Sequence, residues 1–238
     1  MTKEDFWAAE DAGMLNLSRF RRAHFSIKNM QDAVVLHRLG ALRDKDIFEA
    51  GGGHSRVLGH YCRNNRCANI DPLEGEGGGP TRRKVLSRHH FEPYRQIFAS
   101  VGRSSSVIAE GSCDVLFSIS VIEHVPLNAI DIFFADIARI LRPGGRMLHL
   151  IDSYLGEDPG INAEAVERFP AYARVFETGS FVPADRRRIM SIKDIRFHPR
   201  MATNPDNSMN EWNRLAPSLR HVRAEGQACT FILDAVRV

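Results

Sequence analysis

The chain has 238 residues, of which 43% are hydrophobic, and a formal net charge of +3. That size and apolar share suit one large domain, or one domain with a cap, and so small a charge gives no footing for nucleic acid. No apolar run of about twenty residues offers a membrane-spanning helix, and the start Thr2-Lys3-Glu4-Asp5 has no signal-type apolar core, so a cytoplasmic location is expected.

Cys62, Cys67, Cys113 and Cys229 contain no Cys-x-x-Cys pair, so reduced thiols are expected, with no disulfide and no metal site. Residues 4–12 and 29–43 read as helices. In the second, Ala33, Val34, Leu36, Leu39 and Leu42 fall on one face at the 3.6 period. Between them lies a basic-aromatic patch, Arg19-Phe20-Arg21-Arg22-Ala23-His24-Phe25. It reads either as a segment that closes over a ligand or as a solvated helix with its aromatics on the core.

A first strand is expected at 46–50. It ends in Glu49 and runs into Gly51-Gly52-Gly53. A helix follows at 53–63, and a second strand at 67–71 ends in Asp71. Strand, glycine turn, helix, strand and acid is the layout of a nucleotide-binding βαβ unit. Glycines let the backbone approach a ligand where a Cβ would collide, and the acid can accept both hydroxyls of a ribose. A dinucleotide fits poorly. Gly-x-Gly-x-x-Gly counted from Gly51 needs glycine at Arg56, and Glu49 would repel a pyrophosphate. S-adenosylmethionine carries adenosine and an ammonium and has no phosphate, which suits Glu49.

Residues 72–80 form a loop by composition. The third strand is expected at Ser106 to Ala109 or earlier, and the fourth at 113–119. A helix over 127–141 places Ile130, Phe133, Phe134, Ile137 and Leu141 on one face, and Pro143-Gly144-Gly145 ends it. A fifth strand spans 146–152. Residues 153–218 are polar, proline-punctuated and rich in arginine, with helices near 162–177 and 208–216. Two strands, 219–223 and 229–238, close the chain.

Glu49 to Gly53, Asp71, Val121-Ile122-Glu123-His124-Val125-Pro126 and Leu141-Arg142-Pro143-Gly144-Gly145, in this order, resemble the class I S-adenosylmethionine-dependent methyltransferases, particularly the small-molecule branch. The resemblance covers roughly 33–152 and resumes over the last twenty or so residues. It implies an α/β fold: a Rossmann-like, doubly wound, mostly parallel seven-stranded sheet with an antiparallel last strand and helices on both faces. The organisation expected is an N-terminal helical segment (1–45), a cofactor-binding core (46–152), an inserted substrate cap (153–218) and a C-terminal strand pair (219–238).

The resemblance also assigns roles. Gly51, Gly52 and Gly53 pass under the methionine part of the cofactor, Glu49 stabilises its ammonium, and Asp71 takes the ribose. Ser118 and Ile119 border the methyl group. Two departures stand out: Ser55 replaces the motif's third glycine, and no clear acid follows the third strand to meet adenine. If the acceptor must lose a proton, His124 is the leading base; the other reading has it shaping the helix start or packing under the cofactor. His149 and Asp152 are lesser candidates, His149 more naturally facing the packing.

The acceptor is expected to be a small molecule. Arg186-Arg187-Arg188 suits an anionic one, or is a solvated basic face. With Arg82-Arg83-Lys84 and the 19–22 patch it could instead form an RNA track, though no RNA-binding module or aromatic-basic repeat supports that. An RNA methyltransferase, a nicotinamide-dependent oxidoreductase and a non-catalytic binding module are the competing readings. Oligomeric state is not written in the chain.

Overall fold

The computed structural model of the chain describes residues 8–9, 11–14, 27–75, 80–83, 93–156, 163–185 and 227–238. Its strands are β1 (Asp46–Ala50), β2 (Arg66–Ile70), β3 (Arg95–Ile97), β4 (Cys113–Ile119), β5 (Leu141–Leu155), β6 (Phe181–Pro183) and β7 (Gln227–Arg237). They form one seven-stranded sheet in the order β3-β2-β1-β4-β5-β7-β6. Strands β1 to β5 run parallel, and β7 is antiparallel to both β5 and β6. This is the Rossmann-like, doubly wound architecture expected from the sequence.

The helices are α1 (Ile27–Leu39), α2 (Leu58–Tyr61), α3 (Ile130–Ile140) and α4 (Ala163–Ala173). Alternate residues of each central strand feed opposite faces of the sheet. On one face Ile47, Val115 and Phe117 pack with Val34 and Leu36 of α1 and Leu58 of α2. On the other, Phe48, Leu116 and Met147 pack with Phe133 and Ile137 of α3 and Phe169 of α4. Helix α1 is buried without a break from Met30 to Leu36, including Gln31 and Asp32.

The expected and observed elements differ in four places. The third strand is Arg95–Ile97, while 106–109 is a turn that buries Ile108. Helix α2 is only four residues long, because 51–57 are spent forming the loop described below. Helix α3 stops at Ile140, and Pro143-Gly144-Gly145 lies inside β5. Leu141, with ψ 145, is already extended, and Arg142 stands before a proline that disfavours the α region. Between the β4 partners Cys113 and Val115 the β5 register jumps from Leu141 to Arg146, so the Pro-Gly-Gly segment is a bulge in the ladder. Finally, the edge strand beside β7 is Phe181–Pro183; residues 219–223 and 208–216 lie outside the described residues.

Among the described residues no helix is long and apolar enough to cross a membrane.

Candidate functional site

The strand order reverses between β1 and β4, since the chain runs outward from β1 through β2 to β3 and then returns to β4. In an open parallel sheet, ligands bind in the crevice at that switch point, outside the carboxyl ends of the strands. Gly51 to Val57 follow the carboxyl end of β1, and Ser120 to His124 that of β4.

The glycine loop is held by a side chain of β2 and by Asp71 just beyond it. Asn69 accepts the Gly52 N–H at 3.0 Å and donates to Gly53 O at 2.9 Å. Asp71 accepts the Gly53 N–H at 2.8 Å through one oxygen and the Leu73 N–H at 2.7 Å through the other. Each carboxylate oxygen keeps a lone pair for a further donor. Gln96 of β3 braces the pair, accepting from Asn69 at 3.0 Å and donating to Asp71 O at 3.2 Å.

Only glycine fits two positions of this loop. Gly51 has φ +66, and a Cβ there would lie 2.6 Å from Val121 Cγ2. A Cβ on Gly52 would lie 2.7 Å from both Asn69 Oδ1 and Glu49 Cδ.

Glu49 lies beneath this loop, 4% exposed, and accepts a hydrogen bond from the Ser55 hydroxyl. Burial pushes its carboxyl up to about 8; the charges of Asp32 and Asp71 add to the rise, while Ser55 and Arg56 oppose it. Ser55 also accepts the Leu58 N–H, the first of α2, at 2.9 Å, and its own N–H donates to Tyr94 OH at 3.0 Å. The serine that departs from the glycine motif therefore joins the buried acid to the first turn of α2. Arg56 is explained as well. Its guanidinium grips Asp32 of α1 through two bonds of 2.5 and 2.9 Å, tying that helix to the loop.

On the β4 side, Ser118 is fully buried and bonds His149 Nδ1 at 2.8 Å inside the sheet. Ile119 is partly buried and packs toward α1. Val121, beyond both, is the residue that meets the glycine loop. His149 is fully buried, and burial presses its imidazole down to about 3, so it stays neutral; it faces the packing, as its position in the strand suggested. His124 closes the turn Ile122–His124 and is exposed. Asp152 of β5 accepts from Lys28 Nζ at 2.9 Å and from Gln31, which also donates to Thr230 Oγ1 at 2.9 Å. Ser120 donates to Gln31 at 3.2 Å.

Gly52, Gly53 and Asp71 are thus joined by hydrogen bonds through Asn69, Gly51 is tied to Ile70 O and Glu49 lies beneath on Ser55, while Ser118 and His124 stand outside this loop. No acid follows β3. Phe98 stands there, 41% exposed, with the Arg82 guanidinium 4.3 Å from its ring centroid. Asn69, Asp32 and Gln31 carry much of the geometry and have no sequence signal beyond a polar residue in an apolar run. Arg186 to Arg188, Lys84 and the 19–22 patch lie outside the described residues. Among the described residues no group of three metal-ligating side chains converges.

Residues 49–149 match the family model of a methyltransferase domain. No curated protein matches the chain by sequence. Among solved structures, the geranyl diphosphate C-methyltransferase of Streptomyces coelicolor A3(2), with Mg2+, geranyl diphosphate and S-adenosyl-L-homocysteine bound, is similar at 15% identity and TM-score 0.60, over 89% of this chain and 80% of that one. A methyltransferase of Haemonchus contortus, in complex with phosphomonomethylethanolamine and S-adenosylhomocysteine, is similar at 13% identity and TM-score 0.55, over 94% of this chain and 59% of that one. A protein of Bacillus halodurans C-125 described as a methyltransferase is similar at 13% identity and TM-score 0.51, over 85% and 96%. At such identities the likeness is one of fold.

Proposed function

We propose that this protein, whose residues 49–149 match the family model of a methyltransferase domain, is a class I, S-adenosylmethionine-dependent enzyme that methylates an oxygen, nitrogen or carbon atom of a small-molecule acceptor. The observation that carries the reading is the glycine loop, pinned by Asn69 and Asp71 over the switch-point crevice, with an acid at the end of β2.

The chain's residues suit the cofactor. Asp71 would take the ribose hydroxyls on its remaining lone pairs. Gly51 to Gly53 would give the amino-acid end a surface without side chains. Glu49 would act from below, its ionisation favoured by an ammonium above the loop. Bound S-adenosylmethionine supplies an activated methyl group, so the protein's own task is alignment and exclusion of water. Ser118 and Ile119 would support the β4 edge of the crevice from within, behind Val121. His124, exposed beside it, is the assigned base if the acceptor approaches from solvent.

Within residues 153–218, the stretches outside β5, the core-packed α4 and β6 are assigned to acceptor binding, since segments inserted on a rigid sheet often carry specificity. An anionic acceptor would engage the arginines at 186–188. The chain's four free cysteines suit the reducing cytoplasm.

The test is calorimetric titration with S-adenosylmethionine, S-adenosylhomocysteine and NAD. The expected result is micromolar binding of the two adenosyl ligands and none of NAD. In Asp71→Ala, affinity for both should fall by about tenfold or more, the loss of roughly 1.4 kcal/mol or more of charge-assisted bonding, while circular dichroism shows the fold retained. Unchanged affinity would remove Asp71 from the site.

A further inference from the structure

Glu123 stands two residues beyond Val121, where the β4 side of the crevice meets the glycine loop, and nothing in the cofactor reading uses it. Both its carboxyl oxygens are buried, and among the described residues neither has a hydrogen-bond partner. Its own backbone N–H and that of Asp152 lie close enough to favour the charged form, yet neither aligns into a bond. A buried carboxyl group without a partner is costly and uncommon in a native fold. Such a group is a candidate for contact with a ligand.

The surroundings are specific. Lys28 of α1 and Asp152 of β5 act on Glu123 electrostatically, and Tyr172 of α4 feels its charge. The Tyr172 hydroxyl is also buried without an aligned partner, and the charge of Glu123 bears on it. Arg168 donates to Val125 O at 2.9 Å and to Glu164 at 3.1 Å, and its guanidinium also lies close enough to Tyr172 to act on that hydroxyl. Asp152 is committed to Lys28 and Gln31, and His149 to Ser118. His124, next in sequence, is exposed. Among the described residues at this end of β4 and β5, Glu123 is the acid whose two carboxyl oxygens are both buried and without a partner; His149, buried too, keeps one bond through Nδ1.

We propose that Glu123 faces the reacting end of the crevice and binds the acceptor through a protic nucleophile, a hydroxyl O–H or an amine N–H, whose proton it accepts. This rests on the reading of S-adenosylmethionine as methyl donor. As the acceptor heteroatom bonds to the methyl carbon, the sulfur–methyl bond breaks and its electron pair returns to sulfur. The heteroatom's proton passes to a Glu123 oxygen. The products are the methylated acceptor, neutral S-adenosylhomocysteine and a protonated carboxyl. Tyr172 is placed as a second contact for the acceptor. The acceptor class narrows accordingly to oxygen or nitrogen nucleophiles that carry a hydrogen.

Burial, with repulsion from Asp152, raises the Glu123 carboxyl to about 8, and Lys28 opposes the rise. In the free protein near neutral pH it is therefore mostly protonated, and a cation placed at the reacting end should make it ionise. S-adenosylmethionine has a sulfonium there, while S-adenosylhomocysteine has a neutral thioether and is otherwise the same. The experiment is titration calorimetry of the full chain with each ligand at pH 7.5, in buffers of different ionisation enthalpy, so that protons released on binding are counted.

The expected result is proton release on binding the methionine form in excess of the homocysteine form. The excess should vanish in Glu123→Gln, which keeps the side chain's shape. Between pH 6.5 and 9 the wild-type affinity ratio of the two ligands should rise several-fold, and in Glu123→Gln it should stay flat. Equal proton release by the two ligands, or an excess that survives in Glu123→Gln, overturns the proposal. Failure of both ligands to bind wild-type protein would instead strike the cofactor reading itself.

Discussion

Ser55 shows how one side chain can join a site to its scaffold. It donates to buried Glu49 and accepts from the first turn of α2. Ser55→Ala removes both bonds and leaves the acid without its donor, so a loss of about 1–2 kcal/mol is expected in urea unfolding. Ser55→Gly, which restores the familiar glycine, should cost no less, since it also frees the backbone. Glu49, the glycines and Asp71 were legible in the sequence because each is a rare residue type at a strand end. Asn69 was not, since nothing marks one polar residue inside Cys67-Ala68-Asn69-Ile70 as a loop anchor until β2 lies beside β1. Glu123 lies in the same Val121–Pro126 motif as His124, and the sequence favours His124 for proton transfer through its free pKa. Burial, invisible in the sequence, separates the two.

Among elements, α1 is the piece whose placement depends most on distant residues. Its Asp32 is fully buried and held by Arg56 of the loop, a half-exposed partner. Losing the two partners should not cost the same. Arg56→Ala strands a buried carboxylate and should cost about 3 kcal/mol, whereas Asp32→Asn leaves an arginine that water can reach and should cost nearer 1 kcal/mol. Equal losses in denaturant titration would contradict this. Element existence was legible wherever periodicity was strong, as in α3 with Phe133, Phe134 and Ile137. Strand β3 was not, because it is three residues long and buries only Ile97. The Pro-Gly-Gly segment was misplaced because the same residues that end a helix also make a bulge, and only pairing with β4 decides between them.

Across the whole molecule, charge is sorted between the two ends of the sheet. At the amino ends of the strands, Asp46 and Asp114 are matched by Arg66 and Arg142 at 2.6–2.8 Å, and Asp46 is held below the usual carboxylate range, chiefly by its bond to Arg66. At the carboxyl ends, the buried Glu49 and the partly buried Glu123, whose carboxyl oxygens are out of solvent, are raised to about 8. A carboxyl whose folded pKa lies above its unfolded value gives stability that is complete below the unfolded value and is lost as pH rises through the folded one. Stability should therefore fall between about pH 4.5 and 8, by roughly 1.4 kcal/mol per pH unit for each such group. Glu49→Gln should flatten that slope in melts across the range, and an unchanged slope would show that Glu49 is not protonated on folding. The topology was legible in its parallel part, where strand, helix and strand follow in sequence. The edge was not, since β6 arises within the stretch assigned to the cap and reaches the sheet only through β7. That arrangement sets an order of events during synthesis. Strand β5, 15 residues long, leaves the ribosome with one side unpaired, and β6 follows with no neighbour to bind. Until β7 emerges, the nascent chain carries an open edge of the kind that recruits other strands.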